Sequence, residues 1–376
     1  MTQKENKLHF ISPSKVIRGE SAWKEGQELI PSICKKPLLI GRSKSTSKIR
    51  NILVKDLENI NIRSISRELK KDCCEEDLNN LYKQAKKNSC DGVIASGGGK
   101  VLDAGKLLGH RLGLPVITIP LSAATCAGWT ALSNIYSPEG AFINDVRLDS
   151  CPNLLIFDYE FIRQAPSRTL ASGIADALAK WYEASATSSA SSDGLAQQAV
   201  QMARVLRDQL FIDGYKAFED NKSDEWIRVA EACALTAGLI GGIGGTKCRT
   251  AAAHAIHNGL TQLEFEEKPL HGELVGFGIL IQLHLEELKS KKLLASQSRI
   301  QVSDFLRQFK LPIDIESIKL KQSGIETLRE ACDFATRSDS DIHNLPFKVD
   351  TNELLNSILI NKTSDDLVSP LNMKER

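Results

Sequence analysis

The chain has 376 residues, of which 42% are hydrophobic and 25% charged, and 48 Lys plus Arg against 47 Asp plus Glu leave a net charge of +1. At about 150 residues per domain the length predicts two to three domains, and the composition is that of a chain with a real core, which excludes disorder or a coiled coil as a description of the whole. A phosphate-tracking protein carries a basic excess or stripe, so nucleic acid is not an expected partner.

In chain order, the first half alternates short apolar runs with helical stretches. PLLIG (37–41), DGVIASGGG (91–99), LPVITIP (114–120) and NLLIFD (153–158) read as buried strands, being short, apolar and bounded by Gly, Pro or Asp. Segments 47–56 and 75–88 between them have helix-forming composition. Strands alternating with helices predict a parallel sheet covered on both faces. Beyond about residue 165 the strands give way to Ala-, Leu-, Glu-, Lys- and Gln-rich stretches at 171–190, 194–209, 223–240, 249–262, 271–289, 298–309 and 324–335. These predict an all-helical second domain, with the boundary near Gln164-Ala165-Pro166. Residues 1–165 and 166–376 are therefore the expected domains, and the last ten or so residues, being polar, are expected to fray.

The nine cysteines (34, 73, 74, 90, 126, 151, 233, 248 and 332) are odd in number and scattered, with no CxxC, which fits neither a zinc knuckle nor a disulfide framework. MTQKENKLHF lacks an apolar signal core, and no uninterrupted apolar run approaches ~20 residues. A cytoplasmic setting with reduced thiols and no membrane partner is expected.

The sharpest local signal is ASGGGKVLDAGKLLG (95–109), a strand that runs through three glycines into an Ala- and Leu-rich helix. Gly97, Gly98 and Gly99 let backbone N–H groups approach a pyrophosphate at a helix N-terminus. The pattern is neither GxGxxG nor a Walker loop, and a tight turn without a ligand is the competing reading.

Together GGGKVLDAGK (97–106), GIADALAKWYEA (173–184), AAAHAIHNGL (251–260) and LHGELVGFG (270–278) resemble the glycerol-dehydrogenase-like branch of the iron-containing alcohol dehydrogenase family, relatives of dehydroquinate synthase. Within it, ATCAGWTALSNIY (124–136) and LAKWYEA (178–184) look nearest to the hydroxycarboxylate dehydrogenases. The resemblance spans about residues 10–350. It implies an α/β N-terminal Rossmann-like domain, an all-helical C-terminal domain and a metal site in the cleft between them. It also implies a dinucleotide site that includes Arg42, Lys100, Asp103, Leu121, Thr130, Leu132 and Tyr136 besides the three glycines. Expected partners are a small-molecule substrate and further copies of the chain.

The resemblance also implies Asp176, His254 and His271 as metal ligands and catalytic residues. A carboxylate inside an Ala-rich helix is costly unless paired or ligated, and three protein ligands leave one position open, as a catalytic zinc needs. Zn²⁺ is the expected metal, with Fe²⁺ the alternative. His257 shares a helix face with His254 and is read as a substrate contact or as a partner of the ligands. The expected reaction interconverts a small hydroxy compound and its carbonyl with a nicotinamide cofactor.

Two departures from the glycerol dehydrogenases point to the substrate. Cys126 stands where those enzymes carry an Asp, and TKCRTAAAH places Arg249 five residues before His254, expected near the start of its helix. A guanidinium beside the metal would clamp the carboxylate of a 2-oxo acid, and loss of the Asp removes like-charge repulsion, so both favour a 2-oxo acid over a polyol. Glycerol oxidation is the alternative. A sugar-phosphate cyclase would need a Lys/Arg cluster, and around the two histidines only Lys247, Arg249 and Lys268 are in view. After PLLIG comes Arg42-Ser43-Lys44 with no carboxylate, so NADP(H) is expected over NAD(H).

Overall fold

The computed structural model describes residues 8–290 and 293–361. The polar C-terminal end expected to fray lies outside them. Strand β1 (Val16–Gly19) leads into the short helix α1 (Ala22–Gly26), and β2 (Pro37–Gly41) is followed by α2 (Ser47–Asn59). Next come β3 (Ile65–Glu68), α3 (Glu75–Lys87), β4 (Gly92–Gly97), α4 (Gly99–Leu112) and β5 (Val116–Pro120). A hairpin, β6 (Leu132–Tyr136) with β7 (Phe142–Arg147), precedes β8 (Leu154–Asp158) and the single turn α5 (Tyr159–Ile162).

Six strands form one sheet in the order β1-β8-β5-β4-β2-β3, all neighbours parallel. Its central strands are buried throughout because both faces are covered. Leu38, Ile40, Val93 and Ala95 point to one face and pack on Leu78, Leu81 and Leu102. Leu39, Ile94, Ile117 and Ile119 point to the other and pack on Ile49, Leu53 and Leu57. This is the two-residue alternation of a strand. The chain runs from β2 outward to β3 and then returns to β4 on the far side of β2. The topological switch therefore lies between β2 and β4, where ligands bind in open α/β sheets. Arg42 and the Gly97–Gly99 turn sit at the carboxyl ends of those two strands.

The remainder is helical: α6 (Ser167–Ser188), α7 (Gly194–Glu219), α8 (Asp224–Glu231), α9 (Ala237–Gly244), α10 (Ala252–Leu260), α11 (His271–Ser290), α12 (Leu293–Gln308), α13 (Ile325–Ala335) and α14 (Thr351–Ile360). Leu155 and Phe157 of β8 share a core with Leu170, Ile174 and Leu178 of α6, so the helical part is built onto the sheet.

Several expectations need correction. The stretch 223–240 is not one uniform helix, because a π-helical turn, Ala232–Thr236, separates α8 from α9. Asp224–Gly244 as a whole is also long and apolar enough to cross a membrane. Its apolar character is used within the fold, where Trp226, Val229, Cys233 and Ile240 join the core of α6 and α7. The helix expected over 249–262 begins only at Ala252. Strands β1 and β3, the β6–β7 hairpin and α14 were not anticipated.

Candidate active site and metal centre

A cleft of about 710 Å³ separates the sheet's carboxyl edge from α6, α10 and α11, within the usual range for a small-molecule site. Two close backbone approaches set its inner wall. A Cβ on Gly272 would lie 1.7 Å from the Ser172 carbonyl oxygen, so only glycine lets the start of α11 cross α6 this closely. A Cβ on Gly278 would lie 2.4 Å from the Ala253 carbonyl oxygen, which fixes α10 against α11 in the same way. Ser172 Oγ accepts from Gly272 N–H at 3.0 Å. Arg168 grips both oxygens of Glu273, at 2.6 and 2.8 Å, and Glu273 in turn accepts from Leu270 N–H. These contacts hold the residue between Leu270 and Gly272, which is His271.

The result is a cluster of Asp176, His254 and His271, whose ligand atoms all lie within 4.8 Å of one another. His254 Nε2 is 3.3 Å and His271 Nε2 3.4 Å from Asp176 Oδ1. Each imidazole turns its other nitrogen to a partner. His254 Nδ1 meets Glu183 Oε2 at 2.6 Å, and His271 Nδ1 meets His257 Nε2 at 2.9 Å. Such partners fix ring orientation and tautomer at metal sites.

Charge follows the geometry. Burial works to raise the Asp176 carboxyl, but the facing His271 and His254 outweigh it and hold it well below its usual range. Burial works to lower His254, and Glu183 together with the hydrogen bond to Asp176 outweighs it, so His254 is held up at about 9. Burial, reinforced by His271, pushes His257 well below the usual imidazole range.

Glu183 is one residue that the sequence reading missed. Besides His254 Nδ1, it accepts from the backbone N–H of Ala251 at 2.7 Å and of His254 at 3.0 Å. Its carboxylate thus caps the N-terminus of α10 from another helix. It follows Asp176 by seven residues on α6, two turns along the same face, and stands within the quoted GIADALAKWYEA.

The expected substrate contacts divide. Cys126 and Arg249 line the cleft. Arg249 lies not on the helix but in the turn before it, after the short Thr246–Cys248 turn, because Glu183 caps the helix only from Ala251 onward. Burial lowers the pKa of Arg249, and burial raises that of the Cys126 thiol. His257 does not line the cleft; it stands behind His271 as the partner of a ligand, the other of its two readings, with Nδ1 on Asn258 Oδ1 at 2.9 Å.

At the other end, Arg42, Gly97, Gly98, Gly99 and Lys100 line the cleft, as do Asp103, Thr130, Leu132 and Tyr136. Leu121 does not: its side chain is buried among Ile117, Ile119 and Ile156. A Cβ on Gly98 would have Ser122 Oγ, 3.9 Å away, as its nearest neighbour, so that backbone faces open space. Lys100 Nζ is held 2.5 Å from Asp72 Oδ2 and over the Tyr136 ring. Buried Asp72 also lies 3.9 Å from Arg42. Lys106, another residue the sequence reading passed over, pairs with Asp103 at 3.1 Å and donates to the Thr130 and Leu132 carbonyls. The hairpin thereby anchored also reaches the helical part, where Phe142 N–H donates to Thr261 Oγ1 at 2.9 Å.

The iron-containing alcohol dehydrogenase family model matches residues 13–159. Hydroxycarboxylate dehydrogenase A of Escherichia coli (strain K12) is 34% identical over 280 residues, 73% of this chain and 75% of that protein. The chain belongs to the iron-containing alcohol dehydrogenase family. An uncharacterized oxidoreductase of Synechocystis sp. is 45% identical over 345 residues, 92% of this chain and 89% of its own length. The crystal structure of glycerol dehydrogenase from Schizosaccharomyces pombe superposes with a TM-score of 0.80 at 27% identity, covering 94% of this chain and 90% of that one. This member falls in the glycerol-dehydrogenase-like branch of the family and is a metal-dependent dehydrogenase acting on CH–OH groups.

Proposed function

We propose that this dehydrogenase interconverts a small 2-hydroxy acid and its 2-oxo acid, with residues 1–165 binding the dinucleotide and residues 166–376 the metal and substrate. The observation that carries the reading is Arg249. Arg249 lines the same cleft as Asp176, His254 and His271, and its buried Nε has no acceptor. A guanidinium held like this binds a carboxylate by charge-assisted hydrogen bonds. Cys126, a weak donor and acceptor, adds no negative charge to oppose it.

Asp176, His254 and His271 would hold a divalent cation. Two imidazoles and one carboxylate converge there, with both outer nitrogens already tied down, and this donor set suits Zn²⁺, with Fe²⁺ the alternative. When bound, such an ion supplies Lewis-acid polarisation of a carbonyl. Gly97, Gly98 and Gly99 at the N-terminus of α4 would hold the pyrophosphate of a dinucleotide that supplies the hydride chemistry. The chain's own contributions are alignment, the charge of Arg249 and the exclusion of water. A cytoplasmic homo-oligomer is the setting this reading expects.

The test is a reductase screen of 2-oxo acids, ketones, aldehydes and dihydroxyacetone with NADPH and NADH. Reduction of 2-oxobutanoate or 2-oxoglutarate is expected. Arg249→Ala should raise KM for a 2-oxo acid by roughly 10- to 100-fold, the loss of one charge-assisted hydrogen bond, and change that for an uncharged ketone far less. An enzyme that oxidises glycerol well and ignores every 2-oxo acid is instead a glycerol dehydrogenase, the reading that the Schizosaccharomyces pombe likeness favours.

NADP(H) is the proposed cofactor. Arg42 keeps 39% of its side-chain surface exposed at the end of β2, and its contact with Asp72, at 3.9 Å, is loose enough to leave the guanidinium free for a 2′-phosphate. Arg42→Asp is expected to move the ratio of kcat/KM for NADPH over NADH by about tenfold or more (~1.4 kcal/mol) toward NADH. An unmutated enzyme that prefers NADH by that margin contradicts the proposal.

A further inference from the structure

Two cationic residues, Lys180 and Arg249, adjoin beside the metal cluster. Lys180 follows Asp176 by four residues on α6, so both side chains lie on the face that borders the cleft. Lys180 is only 5% exposed. Its Nζ donates to the Arg249 carbonyl at 3.0 Å, which leaves two of the three ammonium donors free. Arg249 is the second cation. It reaches Thr246 Oγ1 at 3.3 Å, while its Nε is buried with no partner. The guanidinium has little room to withdraw, because a Cβ on neighbouring Gly241 would already lie 2.8 Å from Arg249 Cγ.

No carboxylate among the described residues makes a direct ion pair with either cation. Asp145 and Asp341 act on Arg249 only at longer range. Asp176 acts on Lys180 but turns Oδ1 to the two histidines. Cys126 feels Lys180 as well, yet burial pushes its thiol up and keeps it neutral. A buried ammonium and a half-buried guanidinium, neither in a direct ion pair, are costly to hold on one cleft wall, and an anion that reaches them lowers that cost.

We propose that Lys180 is a specificity-determining residue that seats the substrate carboxylate together with Arg249. The inference rests on the 2-oxo acid reading and narrows it. Residues four apart on a helix stand about 5–6 Å apart at Cβ, and Lys180 acts electrostatically on the metal ligand Asp176, so the ammonium lies on the reacting centre's side of the cleft. That spacing recognises a carboxylate directly adjacent to the reacting carbonyl, not one at the far end of a longer chain. A 2-oxo acid fits, and a 4-oxo acid does not.

The experiment uses the metal-replete enzyme and its Lys180→Met, Lys180→Gln and Lys180→Arg variants. Elemental analysis first establishes that metal content is equal. Turnover of 2-oxobutanoate is compared with that of hydroxyacetone, which lacks the carboxylate, and the dissociation constant of oxamate, an unreactive carboxylate, is measured by calorimetry. Both neutral variants should weaken oxamate about tenfold or more and lower the kcat/KM ratio of 2-oxobutanoate over hydroxyacetone by a similar factor, with Lys180→Arg restoring most of the loss. Equal effects on the two substrates, or oxamate binding that ignores the charge at position 180, overturn the inference. A wild type that reduces no 2-oxo acid refutes the substrate reading, while oxamate binding that depends on Lys180 still upholds the anion seat.

Discussion

Asp176→Ala is expected to strip the enzyme of its metal and cut turnover by roughly 10³-fold or more, the scale of losing Lewis-acid stabilisation. His254→Ala and His271→Ala should do the same. Each removes one of three converging ligands, and three protein ligands are the number found at catalytic zinc sites. Folding should survive, because α6 and α11 are held by other contacts: the core around Leu170, Ile174 and Val275, and the close crossing at Gly272. Elemental analysis beside thermal melting checks both halves. A variant that keeps stoichiometric metal and full activity would remove that residue from the ligand set.

The second large effect is expected at Glu183, which neither lines the cleft nor is one of the three ligands. Glu183→Ala deprives three donors of their acceptor: the buried backbone N–H groups of Ala251 and His254, and His254 Nδ1. Each unmet buried donor costs about 1–3 kcal/mol, so the melting temperature should fall markedly. Metal affinity should fall with it, by the 10- to 100-fold typical of outer partners of metal-bound histidines. Glu183→Gln separates the two effects. Its amide oxygen still caps α10, whereas its NH₂ would face His254 Nδ1, where the metal-binding tautomer carries its proton. That variant should keep most of its thermal stability and still lose metal at a chelator concentration the wild type withstands. Unchanged metal retention in both variants would reduce Glu183 to a helix cap.

How much of this was legible in the sequence depended on burial. PLLIG, DGVIASGGG, LPVITIP and NLLIFD read correctly as strands because a strand buried on both faces is a continuous apolar run. The edge strands β1 and β3 did not: Val-Ile-Arg-Gly and Ile-Ser-Arg-Glu are short and half exposed, and their polar residues imitate loop. The hairpin had a signal in Ser137-Pro138-Glu139-Gly140, a turn in which Gly140 adopts φ +95°. Helix α14 had one as well, since Asp350 and Glu353 form a capping box.

At the site, the spacing of Asp176, His254 and His271 was readable only through resemblance, since each alone resembles an ordinary helix residue. What surrounds them was not readable, because it depends on contacts across the chain. Glu183 is 71 residues from His254 in sequence, and no periodicity reports that distance. Lys180 was hidden within a motif valued for its aspartate. Arg249 was found but misplaced, because the cap that starts α10 after it comes from α6. His257, which shares a face with His254, left two readings open in the sequence, a substrate contact or a partner of the ligands. The approach of α11 puts His271 between it and the cleft.

One measurement bears most directly on a metal-dependent 2-oxo acid reductase housed in this cleft. The purified enzyme is assayed for NADPH oxidation with 2-oxobutanoate before chelation, after exhaustive chelation, and after return of one equivalent of Zn²⁺ or Fe²⁺. Activity that disappears on chelation and returns with one of those ions is the predicted result. Full 2-oxobutanoate reduction by protein free of divalent metal, or none under any metal condition, would contradict it.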